Sequence, residues 1–187
     1  MAKEKKTIYG RIMKLLGWQA DSGPAPEQKC IILGVPHTSI ADFLVAYFYY
    51  KSLGHVAHVM IKKEFFFWPL GPILKAMGGV PVDRSNATQL VLSTIHQFQT
   101  CETLHMAMCP EGTRKATKRW KLGFYKIATQ ANVPVYLSYF DWGTKHVGIG
   151  RKFELTGDPQ ADLLEIRRRY RDMHLTGLHK DGYTDEI

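Results

Sequence analysis

Between Cys30 and Phe140 short apolar runs alternate with stretches of helix length, and this alternation restricts the fold more than any other feature. Cys30 to Val35, Val56 to Ile61, Val80-Pro81-Val82, Thr103 to Cys109 and Pro134 to Phe140 read as strands. Ile40 to Ser52, Thr88 to Gln99 and Gly123 to Ala131 read as helices, and Glu64 to Met77 as helical or irregular. Val147 to Leu155 reads as one or two further strands. Asp158 to His174 reads as a closing helix, with Asp158 near its start and Arg167, Arg168 and Arg169 later, the order the helix dipole favours. Such alternation predicts an α/β fold, a single domain with a largely parallel sheet flanked by helices. At 187 residues the chain is long enough to bury a real core.

Ahead of this region stands a short basic amphipathic segment, residues 1–20, and the main domain is expected over residues 28–178. Ile8, Ile12, Leu15 and Leu16 recur at helical spacing among Lys5, Lys6, Arg11 and Lys14, and Trp18 follows. Two readings stand: a helix lying on anionic lipid, or one packing its stripe on the domain. Gly10 and Gly17 weaken any helix here, and Asp21-Ser22-Gly23-Pro24-Ala25-Pro26 breaks the chain into a loop.

The formal charge of +8 implies an anionic partner: nucleic acid, an acidic membrane, a phosphorylated substrate, coenzyme A or an acidic carrier protein. The aromatic–basic signatures of common RNA-binding folds are missing, which counts against nucleic acid. Cys30, Cys101 and Cys109 are odd in number and lack metal-ligand spacing, so reduced thiols and no metal site are expected. No apolar run reaches the length of a transmembrane helix, and the N-terminus lacks a signal-peptide core.

Two short motifs carry chemistry. Pro36-His37-Thr38-Ser39-Ile40-Ala41-Asp42 sets an imidazole and a carboxylate at a strand-to-helix junction, where the carboxylate would hold the ring's tautomer for general-base work. Pro110-Glu111-Gly112-Thr113-Arg114 combines a permissive turn with a fixed cation suited to an anionic group. Each has a plainer reading. Ser39 and Asp42 stand at capping-box spacing, and Glu111-Gly112-Thr113 is compatible with a surface turn. A capped turn would itself fix Asp42 close to His37. Both motifs follow strands, so both fall at the carboxyl edge of a parallel sheet, where functional loops gather.

Read in order, these blocks resemble the phospholipid and glycerol acyltransferase family, from about Cys30 to Phe140. His37 and Asp42 match its His-x4-Asp block, and Gly78-Gly79-Val80-Pro81-Val82-Asp83-Arg84 its Gly-rich block ending in Arg. Pro110 to Arg114 matches Pro-Glu-Gly-Thr-Arg, Trp120-Lys121-Leu122-Gly123 the aromatic–Lys–x–Gly element, and Val133-Pro134-Val135 the Val-Pro strand. Pro36 stands where many members have Asn, and Cys109 where Phe is frequent.

The resemblance implies His37 as general base and Asp42 as its orienting partner. It implies Arg84, Arg114 and Lys121 as ligands of an anionic head group, in a site shaped by Glu111, Gly112 and Thr113. The implied reaction is O-acyl transfer from acyl-coenzyme A or acyl-carrier protein to a lyso-glycerolipid, by default 1-acyl-glycerol-3-phosphate, with no cofactor. Amides near the helix start at Ile40 would help the oxyanion. A non-phosphate acceptor such as an aminoacyl lipid is the alternative within this chemistry. A basic membrane-binding module without catalysis is the alternative outside it. The place implied is the cytoplasmic side of a membrane, held peripherally on its anionic surface.

Phe65-Phe66-Phe67-Trp68-Pro69-Leu70 follows Lys62-Lys63. Four large apolar residues in succession cannot all face inward, so part of this cluster is expected at the surface, lining an acyl tunnel or entering the bilayer interface; ordinary core is the competing reading. Tyr47, Phe48, Tyr49 and Tyr50 are expected to be core with one exposed edge. Cys109 raises covalent transfer through a thiolate, against a buried inert thiol. Lys115, Lys118 and Arg119 read as a solvated run, or as contacts to coenzyme A phosphates or an acidic carrier.

Overall fold

The structure, a computed structural model, describes residues 7–83 and 85–186. At its centre lies β2 (Lys29–Val35), buried over nearly its whole length. Alternate residues serve opposite faces: Ile31, Leu33 and Val35 enter one core cluster, Cys30 and Ile32 the other. An apolar run without polar alternation is what a parallel strand covered on both sides requires.

Around it run β1 (Gln19–Ala20), β3 (His58–Lys62), β4 (Gly79–Val82), β5 (Leu104–Met108), β6 (Val135–Asp141) and β7 (His146–Phe153). The sheet order is β1-β7-β6-β2-β5-β3-β4. Strands β2 to β6 are parallel; β7 is antiparallel to β6, and β1 pairs parallel with β7. The Val147–Leu155 region is thus one strand, and the short turn Trp142–Lys145 leaves it no room for a crossover. Glu64 to Met77 resolves into a 3-10 turn at Lys63–Phe65 and α3 (Leu70–Ala76).

One face is covered by α4 (Ala87–Thr100), α5 (Gly123–Ala131) and α6 (Pro159–Asp172), through Phe98, Phe124, Ile127, Ile166 and Tyr170. The other is covered by α1 (Ile8–Leu15) and α2 (Ala41–Ser52), through Met13, Val45, Tyr49 and Tyr50. As expected, Tyr49 and Tyr50 are core, while Tyr47 and Phe48 are half-buried.

Helix α1 packs on the domain and leaves part of its apolar stripe exposed; Lys5 and Lys6 lie outside the described residues. The Thr7 hydroxyl caps it by accepting the Gly10 N–H at 3.1 Å, and Gly17, in the left-handed region at φ +78°, lets the chain leave it. Gly10 and Met13 are buried and Tyr9 meets Tyr47 edge-on at 5.9 Å, yet Ile8, Leu15 and Leu16 are exposed. Among the described residues no helix is long and apolar enough to cross a membrane.

After α6 the chain returns over the carboxyl edge of the sheet. The Trp142 N–H donates to the Thr176 carbonyl at 2.9 Å, and the His179 N–H to Thr38 Oγ1 at 3.3 Å. Packing therefore runs past residue 178, the boundary the sequence suggests. Tyr170 anchors α6 beneath this edge. Its fully buried hydroxyl is shared between the carbonyls of Leu33 (2.8 Å) and Ser138 (3.1 Å), on β2 and β6. Replacing it by Phe strips those buried acceptors of their donor. Tyr170→Phe is expected to lower unfolding free energy by about 1–3 kcal/mol in urea titrations, and an unchanged midpoint would refute this role.

Candidate active site

β2 and β5 pair directly, with Leu33 opposite Met108, so the loops that follow them leave the sheet side by side. The first carries His37 and the second Glu111. Asp42 lies in the first turn of α2, only 1% exposed. Its Oδ2 accepts the N–H groups of Thr38 (2.7 Å) and Ser39 (2.8 Å) and faces His37 Nδ1 at 3.2 Å. Ser39 Oγ in turn accepts the Ala41 N–H at 3.2 Å. The Ser39–Asp42 spacing and the His37–Asp42 spacing thus meet at one oxygen, which accepts the Ser39 N–H and faces the ring. Because an ionised carboxylate only accepts, it selects the Nδ1–H tautomer and leaves Nε2 of the partly exposed ring with its lone pair.

Two of the amides at this turn are consumed by Asp42, and a third by Glu111. The expectation that amides near Ile40 serve an oxyanion therefore loses the Thr38, Ser39 and His37 N–H groups as candidates. Glu111, 4% exposed, accepts the His37 N–H at 3.0 Å on Oε1, while Oε2 is buried without a partner among the described residues. Burial pushes its carboxyl up to about 8, against the opposing pull of the His37 N–H; the nearby Asp42 charge adds to the rise. Glu111 thus ties the second motif to the first.

Gly112 has φ +65°, and a Cβ there would lie 2.8 Å from Lys121 Cδ and Cε. The stem of Lys121 crosses this turn, and its N–H closes the loop on the Pro110 carbonyl at 2.7 Å. Arg114 and Lys121 are exposed, and neither has a carboxylate partner among the described residues. Thr113 accepts the Lys115 N–H at 3.2 Å. Trp120 is buried against Tyr170, with ring centroids 5.7 Å apart. Lys118 pairs with Glu186, and Cys109 is half-buried at the end of β5. Arg84 lies outside the described residues. Among those residues no group of three or more His, Cys, Asp or Glu side chains is arranged to hold a metal ion.

One contact has no counterpart in the motifs. Trp142, in the β6–β7 turn, donates its indole N–H to Asp42 Oδ1 at 2.8 Å. A lone Trp a hundred residues from its partner leaves no local pattern to read.

The raised carboxyl of Glu111 has a consequence for stability. The folded chain holds a proton that the unfolded chain releases near 4.5, so this contribution is complete below about 4.5 and is lost as pH rises through about 8. Glu111→Gln keeps an acceptor for the His37 N–H and does not titrate. Melting temperatures from pH 4.5 to 8.5 should show the wild type losing stability relative to Glu111→Gln; a pH-independent difference would refute the assignment.

The family model described as Acyltransferase matches residues 21–138, more than half of the chain and both motif loops. The crystal structure of the 1-acyl-sn-glycerophosphate (LPA) acyltransferase PlsC from Thermotoga maritima is similar, with a TM-score of 0.62 and 15% identity. The match covers 91% of this chain and 78% of that one, and at such identity it shows a shared fold. No curated protein is significantly similar to the chain. With an imidazole and carboxylate held together inside the matched region, on this α/β scaffold, the chain belongs to the acyltransferase family.

Proposed function

We propose that the protein is an O-acyltransferase moving a fatty acyl group from acyl-coenzyme A or acyl-carrier protein to the free hydroxyl of a lyso-glycerolipid, with 1-acyl-glycerol-3-phosphate as acceptor. The observation that carries this is His37, its Nδ1 facing Asp42, on a loop tied by Glu111 to the one that carries Arg114 and Lys121, which have no carboxylate partner among the described residues. The similarity in fold to the LPA acyltransferase PlsC supports the choice of acceptor.

The chemistry follows from those positions. Arg114 and Lys121, joined by Arg84, hold the acceptor phosphate, and Gly112 leaves room for the Lys121 stem beside its turn. The acceptor hydroxyl attacks the thioester carbonyl as His37 Nε2 takes its proton, and Asp42 stabilises the imidazolium that forms. Collapse of the tetrahedral intermediate breaks the C–S bond. The thiolate leaves and takes the proton back from His37, so ester and free thiol are the products and the base is regenerated.

The acceptor lies in a membrane, and the exposed apolar side chains support contact with one. Leu15 and Leu16 on α1, and Phe65, Phe67 and Trp68 before α3, are exposed at 87%, 54%, 46%, 59% and 85%. Lys14, Lys62 and Lys63 stand beside them, the pairing of apolar anchors and cations expected at an anionic lipid surface. Ile40 and Leu44, also exposed, flank Asp42 along the chain.

Acyl transfer by wild type and His37→Ala, with both donors and a panel of lysophosphatidate, other lysophospholipids and lyso-aminolipids, tests the reading. His37→Ala is expected to lose about 10²–10⁴-fold in rate. Retained transfer would sink the mechanism, preference for a lyso-aminolipid would replace the acceptor, and no transfer by folded wild type would favour a binding module. Separately, Leu15→Ser/Leu16→Ser/Trp68→Ser should sediment less with vesicles containing anionic lipid, and added salt should weaken wild-type binding. Unchanged sedimentation of that variant would reject these residues as anchors.

A further inference from the structure

We propose that Trp142 is a positioning residue for acyl transfer, acting on His37 through the carboxylate of Asp42; this rests on His37 being the general base. The three partners at Asp42 Oδ2 come from its own turn: the N–H groups of Thr38 and Ser39, and the imidazole. Oδ1 is held from elsewhere, by Trp142 Nε1–H at 2.8 Å. The terminal torsion of an Asp side chain is broad and two-fold, so contacts at one oxygen define the carboxylate plane loosely. A donor-only N–H on a rigid ring removes that freedom. It decides which oxygen faces His37 and at what tilt.

The indole is itself held from several sides. Its backbone N–H is bound to the Thr176 carbonyl, its ring meets Trp18 edge-on at 5.0 Å, and Lys145 Nζ lies 4.4 Å from its centroid. Lys145, at φ +61°, also accepts the Gln19 N–H on its carbonyl at 2.8 Å, joining the β6–β7 turn to the segment behind α1. Trp142 thus reaches the site from the antiparallel hairpin, beyond residues 21–138 that match the family and outside every motif block.

Trp142→Phe keeps a ring against Trp18 and Lys145 and removes only the donor to Asp42. It is expected to lower kcat by about 10-fold or more while leaving KM within about twofold, because an orienting contact acts on the proton-transfer step. In an Asp42→Asn background the same substitution should cost far less, since residues acting through one partner are not additive. A wild-type kcat in Trp142→Phe, or an equal loss in both backgrounds, overturns the proposal while leaving the His37 mechanism in place. Full activity of His37→Ala would instead overturn the mechanism on which it rests. Should Trp142→Phe fail to fold, or Asp42→Asn be too slow to measure, NMR of the indole N–H groups decides. Asp42→Asn should shift the Trp142 resonance and leave that of exposed Trp68 in place, and an unmoved Trp142 resonance refutes the contact.

Discussion

The His37 loop, the start of α2 and the β6–β7 turn meet at the buried carboxylate of Asp42. It accepts from two backbone amides and an indole, and faces an imidazole nitrogen, all within 3.2 Å. A carboxylate taken out of water is costly unless each lone pair finds a donor. Here the partners come from its own turn, the His37 ring and the hairpin that starts from the neighbouring strand β6. The contact to the Ser39 N–H and the contact to the His37 ring therefore do not compete for Asp42. The contacts that close the turn before α2 are those that bring Asp42 against the His37 ring.

This explains why the site was more legible in the sequence than spacing alone would allow. The Ser39–Asp42 pattern and the His37–Asp42 pattern overlap because one oxygen satisfies both. The strand–helix alternation was legible for a similar reason: an uninterrupted apolar run such as Cys30–Val35 has to be covered on both faces, and only crossovers of helix length provide that cover. The orientation of β7 was harder, since an apolar strand looks alike in either direction; the short Trp142–Lys145 turn was the available clue. β1 is only two residues long and carries no pattern of its own.

Long-range polar contacts were the part that could not be read. Glu111 resembles a residue that faces substrate, yet its Oε1 accepts a backbone N–H on the neighbouring loop. That contact follows from β2 and β5 being adjacent, which strand order in the sequence does not disclose. Trp142 depends on the further step of β6 lying on the other side of β2. The segment after α6 is similar: Gly177 and Gly182 pack against Thr38 only because the tail returns across the sheet edge.

Two buried carboxyl groups a loop apart would repel an anionic acceptor if both were charged. Their surroundings separate them. Asp42 is supplied with donors on both oxygens, whereas Glu111 has a single backbone N–H and one oxygen with no partner among the described residues. Burial raises the Glu111 carboxyl to about 8, so near neutral pH it is mostly protonated, and the nearby Asp42 charge adds to that shift. The His37 N–H still finds an acceptor, because a neutral carboxyl keeps its carbonyl oxygen. The motif loop thus retains its structural tie without adding a second negative charge beside the imidazole. The charge this loop presents is then dominated by the cations of Arg114 and Lys121, which have no carboxylate partner among the described residues to quench them, as the phosphate acceptor we propose would require. If His37 is the general base and the acceptor is anionic, as we propose, the loop can carry this carboxyl group because burial keeps it mostly neutral.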